Sequence, residues 1–332
     1  MIVWNLLGTF CISGFVVSVA KAQNTSKRAE ALGLNKTWNA NMPTSEQSSA
    51  VNYINSNWAV SNTNFYGNED VSFVKDPVTN NATVLQVKYP KGSYAPVGSR
   101  TSTGTVGGVE FFSTPEQGKM YNTALLSYDL AFDSNFNWVK GGKLPGIFGG
   151  PASEGCSGGE KATGSNCFSV RLMWRANGAG EAYAYIPTSD KLCNSKQVIC
   201  NSDYGTSFSR GVIQFSINKW TRLEIYVKLN SGSNSNGILQ VWQDGSLMIN
   251  QQNIQFRSND AIAVSSIMFS TFFGGGSSDY ATSADTYTYF KNIQFSVGNT
   301  PEPKGDNSAS SLSAPVYSLI ALSGCLLSLF VF

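Results

Sequence analysis

The chain of 332 residues contains no histidine. That absence removes Ser-His-Asp and Cys-His catalysis and strips a zinc hydrolase of its usual imidazole ligands. Proton transfer must then fall to Tyr, Lys, Asp or Glu. Charge is scarce as well: 13% of residues are charged and the formal net charge is +2. Such a balance supplies no basic footprint for nucleic acid. Sustained helical periodicity is missing, and no repeat of roughly 20–50 residues recurs. Cysteine is limited to six residues, with no Cys-x-x-Cys pair, so no metal and no cofactor is called for.

What is present points to strands. Hydrophobic residues make up 42% of the chain, with 32 Gly, 20 Phe and 14 Tyr. Leu85, Val87 and Tyr89 alternate with Val84, Gln86 and Lys88. Phe168, Val170, Leu172 and Trp174 alternate with Ser169, Arg171, Met173 and Arg175. Leu223, Ile225 and Val227 alternate with Arg222, Glu224 and Tyr226. A period of two marks half-buried strands. Asp244-Gly245 within 238–250 signals a two-residue hairpin turn. The pattern predicts an all-β fold of two packed antiparallel sheets, a β-sandwich or β-jelly roll. Its concave face would suit a polymeric substrate. One domain is expected over 50–298, after an N-terminal extension at 23–49.

The two ends read as processing signals. A short, interrupted apolar run closes on Ala20-Lys21-Ala22, so 1–22 is expected to be a signal peptide. A polar linker at 299–308 precedes small residues and an apolar tail at 309–332, the arrangement of a GPI-attachment signal. A plain tail anchor is the competing reading. The expectation is a secreted monomer held at the cell surface or wall, touching the membrane only through that anchor. Asn24, Asn35 and Asn81 head glycosylation sequons. Cys156, Cys167, Cys193 and Cys200 lie outside both end segments. Of three possible pairings, Cys156–Cys167 and Cys193–Cys200 are favoured, because each closes a short polar loop.

The densest cluster of chemistry-bearing residues spans 138–187. Lys140 and Lys143 sit in Lys140-Gly-Gly-Lys143-Leu-Pro-Gly-Ile-Phe-Gly-Gly. Alternation places Ser169, Arg171 and Arg175 on one strand face, and Tyr183 and Tyr185 on one face of the next strand. The turn between them carries Asn177. Lys, Arg and paired Tyr suit β-elimination on a uronic acid. There the C5 proton becomes removable once a cation neutralises the adjacent carboxylate. A tyrosine could take that proton or protonate the departing O4, given cations that favour its phenolate. Tyr on strands also serves ordinary cross-strand packing, and the glycine-rich stretch could equally form a tight corner.

These segments resemble polysaccharide lyase family 14. The resemblance rests on the Lys-Gly-Gly-Lys-Leu-Pro-Gly stretch, Ser169-x-Arg171 and Tyr183-Ala-Tyr185, with weaker likeness over most of 50–298. It is the likeness of a fungal-type secreted member. The resemblance implies a jelly roll that cleaves an acidic polysaccharide such as glucuronan or alginate. It implies that Lys143 is essential and that Arg171 pairs with the uronate carboxylate. Ser169 would contact substrate, and one of Tyr183 and Tyr185 would serve as base and acid, Tyr185 being preferred for the proton work. Lys140, Arg175 and Asn177 join as candidate substrate-binding residues. One rival is a non-catalytic lectin or adhesin that stacks sugars on Trp138, Trp174 or Tyr280. Another is a glycoside hydrolase using two of Glu110, Asp129, Asp133 and Glu181. Glu181 is expected to pair with Arg171 or Arg175, or to line the cleft.

Overall fold

The computed structural model describes residues 24–60, 65–95, 105–117, 119–151 and 155–299. The chain divides into two units, 1–300 and 301–332, and the second lies outside the described residues. So do the expected signal peptide, the C-terminal signal and all but the first linker residue.

In chain order the elements are α1 (Asn24–Ala31), β1 (Lys36–Asn39), α2 (Val51–Asn57), β2 (Val71–Lys75) and β3 (Thr83–Tyr89). Next come β4 (Val109–Ser113), β5 (Thr123–Phe132), β6 (Gly141–Gly149), β7 (Phe168–Arg175) and β8 (Ala179–Tyr185). α3 (Asp190–Cys193), β9 (Val198–Ile199), β10 (Thr206–Gln214) and β11 (Thr221–Lys228) follow. The last are β12 (Gly237–Gln243), β13 (Ser246–Ile254), β14 (Val264–Phe273) and β15 (Thr286–Gly298). The helices are too short to leave a periodic trace in the sequence.

Two antiparallel sheets result, as the alternation predicted. One runs β4-β14-β6-β7-β8-β10-β9. The other runs β13-β12-β11-β5-β15-β3-β2, with β1 also paired to β15. The strand β15 is long enough to take β3 along Thr286–Phe290 and β1 along Gln294–Val297. The segment expected to be an extension therefore supplies a strand, and its Trp38 packs against the core.

Period-two alternation decides which side chains fill the sandwich. Phe168, Val170, Leu172 and Trp174 of β7 enter the core between the sheets, as do Ala182 and Ala184 of β8. Trp174 is fully buried and meets Tyr89, Phe136 and Phe273 edge-on. Truncating such a side chain costs about 3–5 kcal/mol. The expected hairpin joins β12 to β13, and Asp244 (φ 49°) and Gly245 (φ 86°) take the left-handed conformations of a two-residue turn. Both expected disulfides form, Cys156–Cys167 and Cys193–Cys200.

Candidate active site

The residues of β7 and β8 that do not enter the core emerge on the outer face of the seven-stranded sheet. Register arranges them in rows: Arg171 opposite Tyr183, Met173 opposite Glu181, and Ser169 opposite Tyr185. Lys143 of β6 lies opposite Met173, and Ser207 of β10 lies opposite Tyr183. Close strand approach is needed beside Arg171. A Cβ on Gly146 would fall 1.9 Å from the Val170 carbonyl oxygen. Above these rows lies a cleft of about 790 Å³. Lys143, Arg171, Arg175, Tyr183 and Tyr185 all line it.

The two central cations are poorly compensated. Arg171 is 1% exposed, and among the described residues its Nη1 reaches only the Ser270 hydroxyl at 3.5 Å and its buried Nε has no acceptor. Glu110 stands one hydroxyl further off, accepting from Ser270 at 2.6 Å. Burial works against the charge of Arg171, yet a guanidinium keeps its proton. Lys143 is half-buried, its Nζ 2.9 Å from the Met173 sulfur and 4.0 Å from the centre of the Tyr183 ring. Burial, then the neighbouring Arg171 and Arg175, hold its pKa well below the ordinary lysine range.

The tyrosines are held by backbone. The Tyr183 oxygen accepts from the Gly205 N–H at 2.9 Å, and the Tyr185 oxygen accepts from the Gly159 N–H at 3.0 Å. Each phenol therefore keeps its own O–H to donate. Their rings meet edge-on at 5.8 Å, and the Arg171 guanidinium lies 6.0 Å from the Tyr185 ring centre. Gly159 belongs to the loop closed by Cys156–Cys167, and Gly205 follows the loop closed by Cys193–Cys200. Burial, with the Tyr185 phenol beside it, raises the Tyr183 pKa above the ordinary phenol range despite the Gly205 donor. The tyrosinate base considered from sequence is thus disfavoured at Tyr183.

Other expected residues are placed differently. Ser169 is buried and donates to the Cys156 carbonyl at 2.6 Å, so it anchors the disulfide loop and is not in the cleft wall. Lys140 is exposed, pairs with Asp279 at 2.9 Å and stays outside the cleft lining. Asn177 adopts φ 60° in the β7–β8 turn, where its carbonyl accepts from Gln214 at 2.8 Å, also outside the lining. Asn35 and Asn81 are exposed. Glu181 is fully buried and holds Arg175, as expected, together with Arg210, which the sequence reading missed. Of the hydrolase candidates, Glu110 lines the cleft, whereas Asp129 pairs with Arg222 on the other sheet. Of the sugar-stacking candidates, Trp174 is in the core and Tyr280 lines the cleft.

Fold and cleft together define the class: a jelly-roll protein of the polysaccharide lyase type. The family model of Polysaccharide lyase 14 matches residues 77–293, and the chain belongs to that family. The marine PL-14 alginate lyase of Aplysia kurodai is 33% identical, with 78% of this chain and 100% of that one covered at a TM-score of 0.66. The alginate lyase vAL-1 from Chlorella virus shares the fold, with 22% identity, 76% of this chain and 99% of that one covered, and a TM-score of 0.59. Exolysin of Paramecium bursaria Chlorella virus 1 is 28% identical over 205 aligned positions, an alignment that covers 54% of this chain and 30% of that protein.

Proposed function

We propose that the protein cleaves a uronic-acid polysaccharide, such as alginate or glucuronan, by metal-free β-elimination. The observation that carries the reading is Arg171, a buried guanidinium in the cleft wall with one long hydrogen bond and an acceptorless Nε. Leaving a buried charge so poorly paired is costly, and a substrate carboxylate would satisfy it with charge-assisted hydrogen bonds. The similar Aplysia protein is an alginate lyase.

The chemistry follows from which groups hold protons. Arg171 neutralises the carboxylate and so makes the C5 proton acidic. Lys143, with its depressed pKa, offers a neutral amine as base. The amine takes the C5 proton, the C5–H electron pair forms the C4=C5 double bond, and the C4–O4 bond breaks. Tyr185 donates its proton to the departing O4, leaving a phenolate beside Arg171 and the Gly159 N–H. Proton transfer from the Lys143 ammonium through solvent restores the starting state. Lys143 thereby takes the part of base that the sequence suggests for a tyrosine.

Work outside the cell is part of the proposal. Two disulfides support it, since such bonds persist in oxidising compartments. Tethering through a GPI anchor remains the reading of the C-terminal sequence.

The test is turnover on alginate and glucuronan, followed by the ultraviolet absorbance of the unsaturated uronate. Lys143→Ala and Tyr185→Phe are each expected to lower kcat by about 10²–10⁴-fold while the melting transition stays cooperative. Wild-type activity in either variant would remove that residue from its assigned role.

A further inference from the structure

The cleft holds a second cationic feature beyond the Lys143–Arg171–Tyr group. Glu181 of β8 is fully buried, and each of its carboxylate oxygens takes a guanidinium. Oε1 receives Nη2 of Arg175 from β7, and Oε2 receives Nε of Arg210 from β10 at 2.5 Å. The Ser207 hydroxyl closes the group, donating to Glu181 Oε1 at 2.9 Å and accepting from Arg210 Nη2 at 2.8 Å. Two cations share one anion, so the cluster keeps a net charge of about +1.

That surplus points into the cleft. Arg175 and Arg210 both line it, and the Arg210 side chain is 43% exposed. Among the described residues the buried Nε of Arg175 has no acceptor. A strut between strands needs one arginine for one glutamate. Here a bulge in β10, with Ser209 at φ 52° and Gly211 at φ 88°, carries a second one in. Glu181 lies in the row of Met173 and Lys143, two residues before Tyr183 and four before Tyr185 on the same strand face, which sets the cluster about 7 Å from the carboxylate-binding Arg171 row and about 13 Å from Tyr185.

We propose that Arg175 and Arg210, presented by Glu181, form a second carboxylate-binding subsite for the acidic group of a sugar beside the one being cleaved. The inference rests on the elimination reading above and adds a specificity to it. The enzyme reads at least two acidic units along the polymer, so it favours runs of consecutive uronates over chains in which acidic and neutral sugars alternate. Glu181 is a positioning residue that aims the guanidinium forks.

The experiment compares the wild type with Arg210→Gln, Arg175→Gln and Arg210→Lys on two probes. One is a homopolymeric uronan that the wild type cleaves, and the other is the same polymer with part of its carboxylates reduced to alcohols. Carboxyl reduction is expected to raise the wild-type KM about tenfold, the loss of one charge-assisted contact. Arg210→Gln is expected to raise KM on the intact polymer by about the same factor, with kcat within about twofold. It should also lose most of the KM response to carboxyl reduction, while the fall in kcat from reducing the sugar held by Arg171 remains, and Arg210→Lys should recover part of the KM. Melting temperatures identify any variant that fails to fold, and the exposed Arg210 provides the safer substitution. A wild type inactive on every uronan overturns the elimination reading and this inference with it. An active wild type whose KM is unmoved by Arg210→Gln and Arg175→Gln, or moved equally on both probes, overturns the subsite alone.

Discussion

The outer faces of the two sheets treat their charges in opposite ways. On the eight-stranded sheet, cations are matched to carboxylates. Lys291 meets Asp76 at 2.7 Å, Arg222 meets Asp129 at 3.1 Å and Arg28 meets Glu224 at 2.9 Å. Asp76 is fully buried and also accepts from Val78, Thr79 and the Trp220 ring nitrogen. Burial acts to raise its pKa, but Lys291 and Thr79 win and hold it well below the usual carboxylate range. On the seven-stranded sheet, cations outnumber carboxylates: Arg175 and Arg210 share the one carboxylate of Glu181, Lys143 rests on a sulfur and an aromatic ring, and Arg171 on a single long hydrogen bond. Both faces come from the same alternating strands around one core. The difference is whether each charge has been matched, and the unmatched face is the one with the cleft.

If that contrast separates architecture from chemistry, substitutions on the two faces should trade stability and activity in opposite directions. The largest stability effect is expected on the paired face. Asp76→Asn should destabilise the fold by about 3–5 kcal/mol in chemical denaturation, the usual result of removing the buried carboxylate from an ion pair and leaving its half-buried lysine unpartnered. Turnover at a temperature where the variant is folded should be unchanged. The Asp76 contribution is present above the ordinary carboxylate range and fades as pH falls through its depressed folded value.

A smaller effect of opposite sign is expected in the cleft. Lys143→Met should abolish turnover and yet stabilise the fold by about 1–2 kcal/mol near neutral pH, because an apolar side chain carries no desolvation penalty. The pH dependence gives the finest discrimination. Folding depresses the Lys143 pKa, so between the folded and unfolded values the unfolded chain holds the extra proton and wild-type stability rises with pH. The advantage of Lys143→Met should therefore be full below the folded value and vanish toward the ordinary lysine range. Wild-type kcat should rise with pH through that same depressed value. A Lys143→Met variant less stable than the wild type at neutral pH would mean that the amine is structural.

Much of this face was legible in the sequence, for a definite reason. Strict alternation in 168–175 and 179–185 fixes which side chains leave the core, and antiparallel pairing then brings Arg171 to Tyr183. What escaped depends on irregular backbone. Arg210 reaches the cleft through a bulge that no period-two pattern encodes. The N–H groups of Gly159 and Gly205 contact the tyrosines as backbone, which carries no residue signature. Ser169 shares the correct strand face, but the disulfide loop folds over it. Lys140 and Asn177 lie at strand ends, where alternation no longer dictates direction. The Lys143 proton state likewise depends on burial beside two guanidiniums, one of them four residues along β7, and spacing alone does not give its depth.

The central claim is that this cleft performs elimination and not hydrolysis. Its most direct test counts two products in one digest of a susceptible uronan with chelator present: new reducing ends and new unsaturated uronate ends. Elimination generates one unsaturated end for each new reducing end, so the two counts should rise in equal numbers from the first turnovers. Reducing ends that accumulate without unsaturated ends would contradict the account and return the cleft to hydrolytic chemistry.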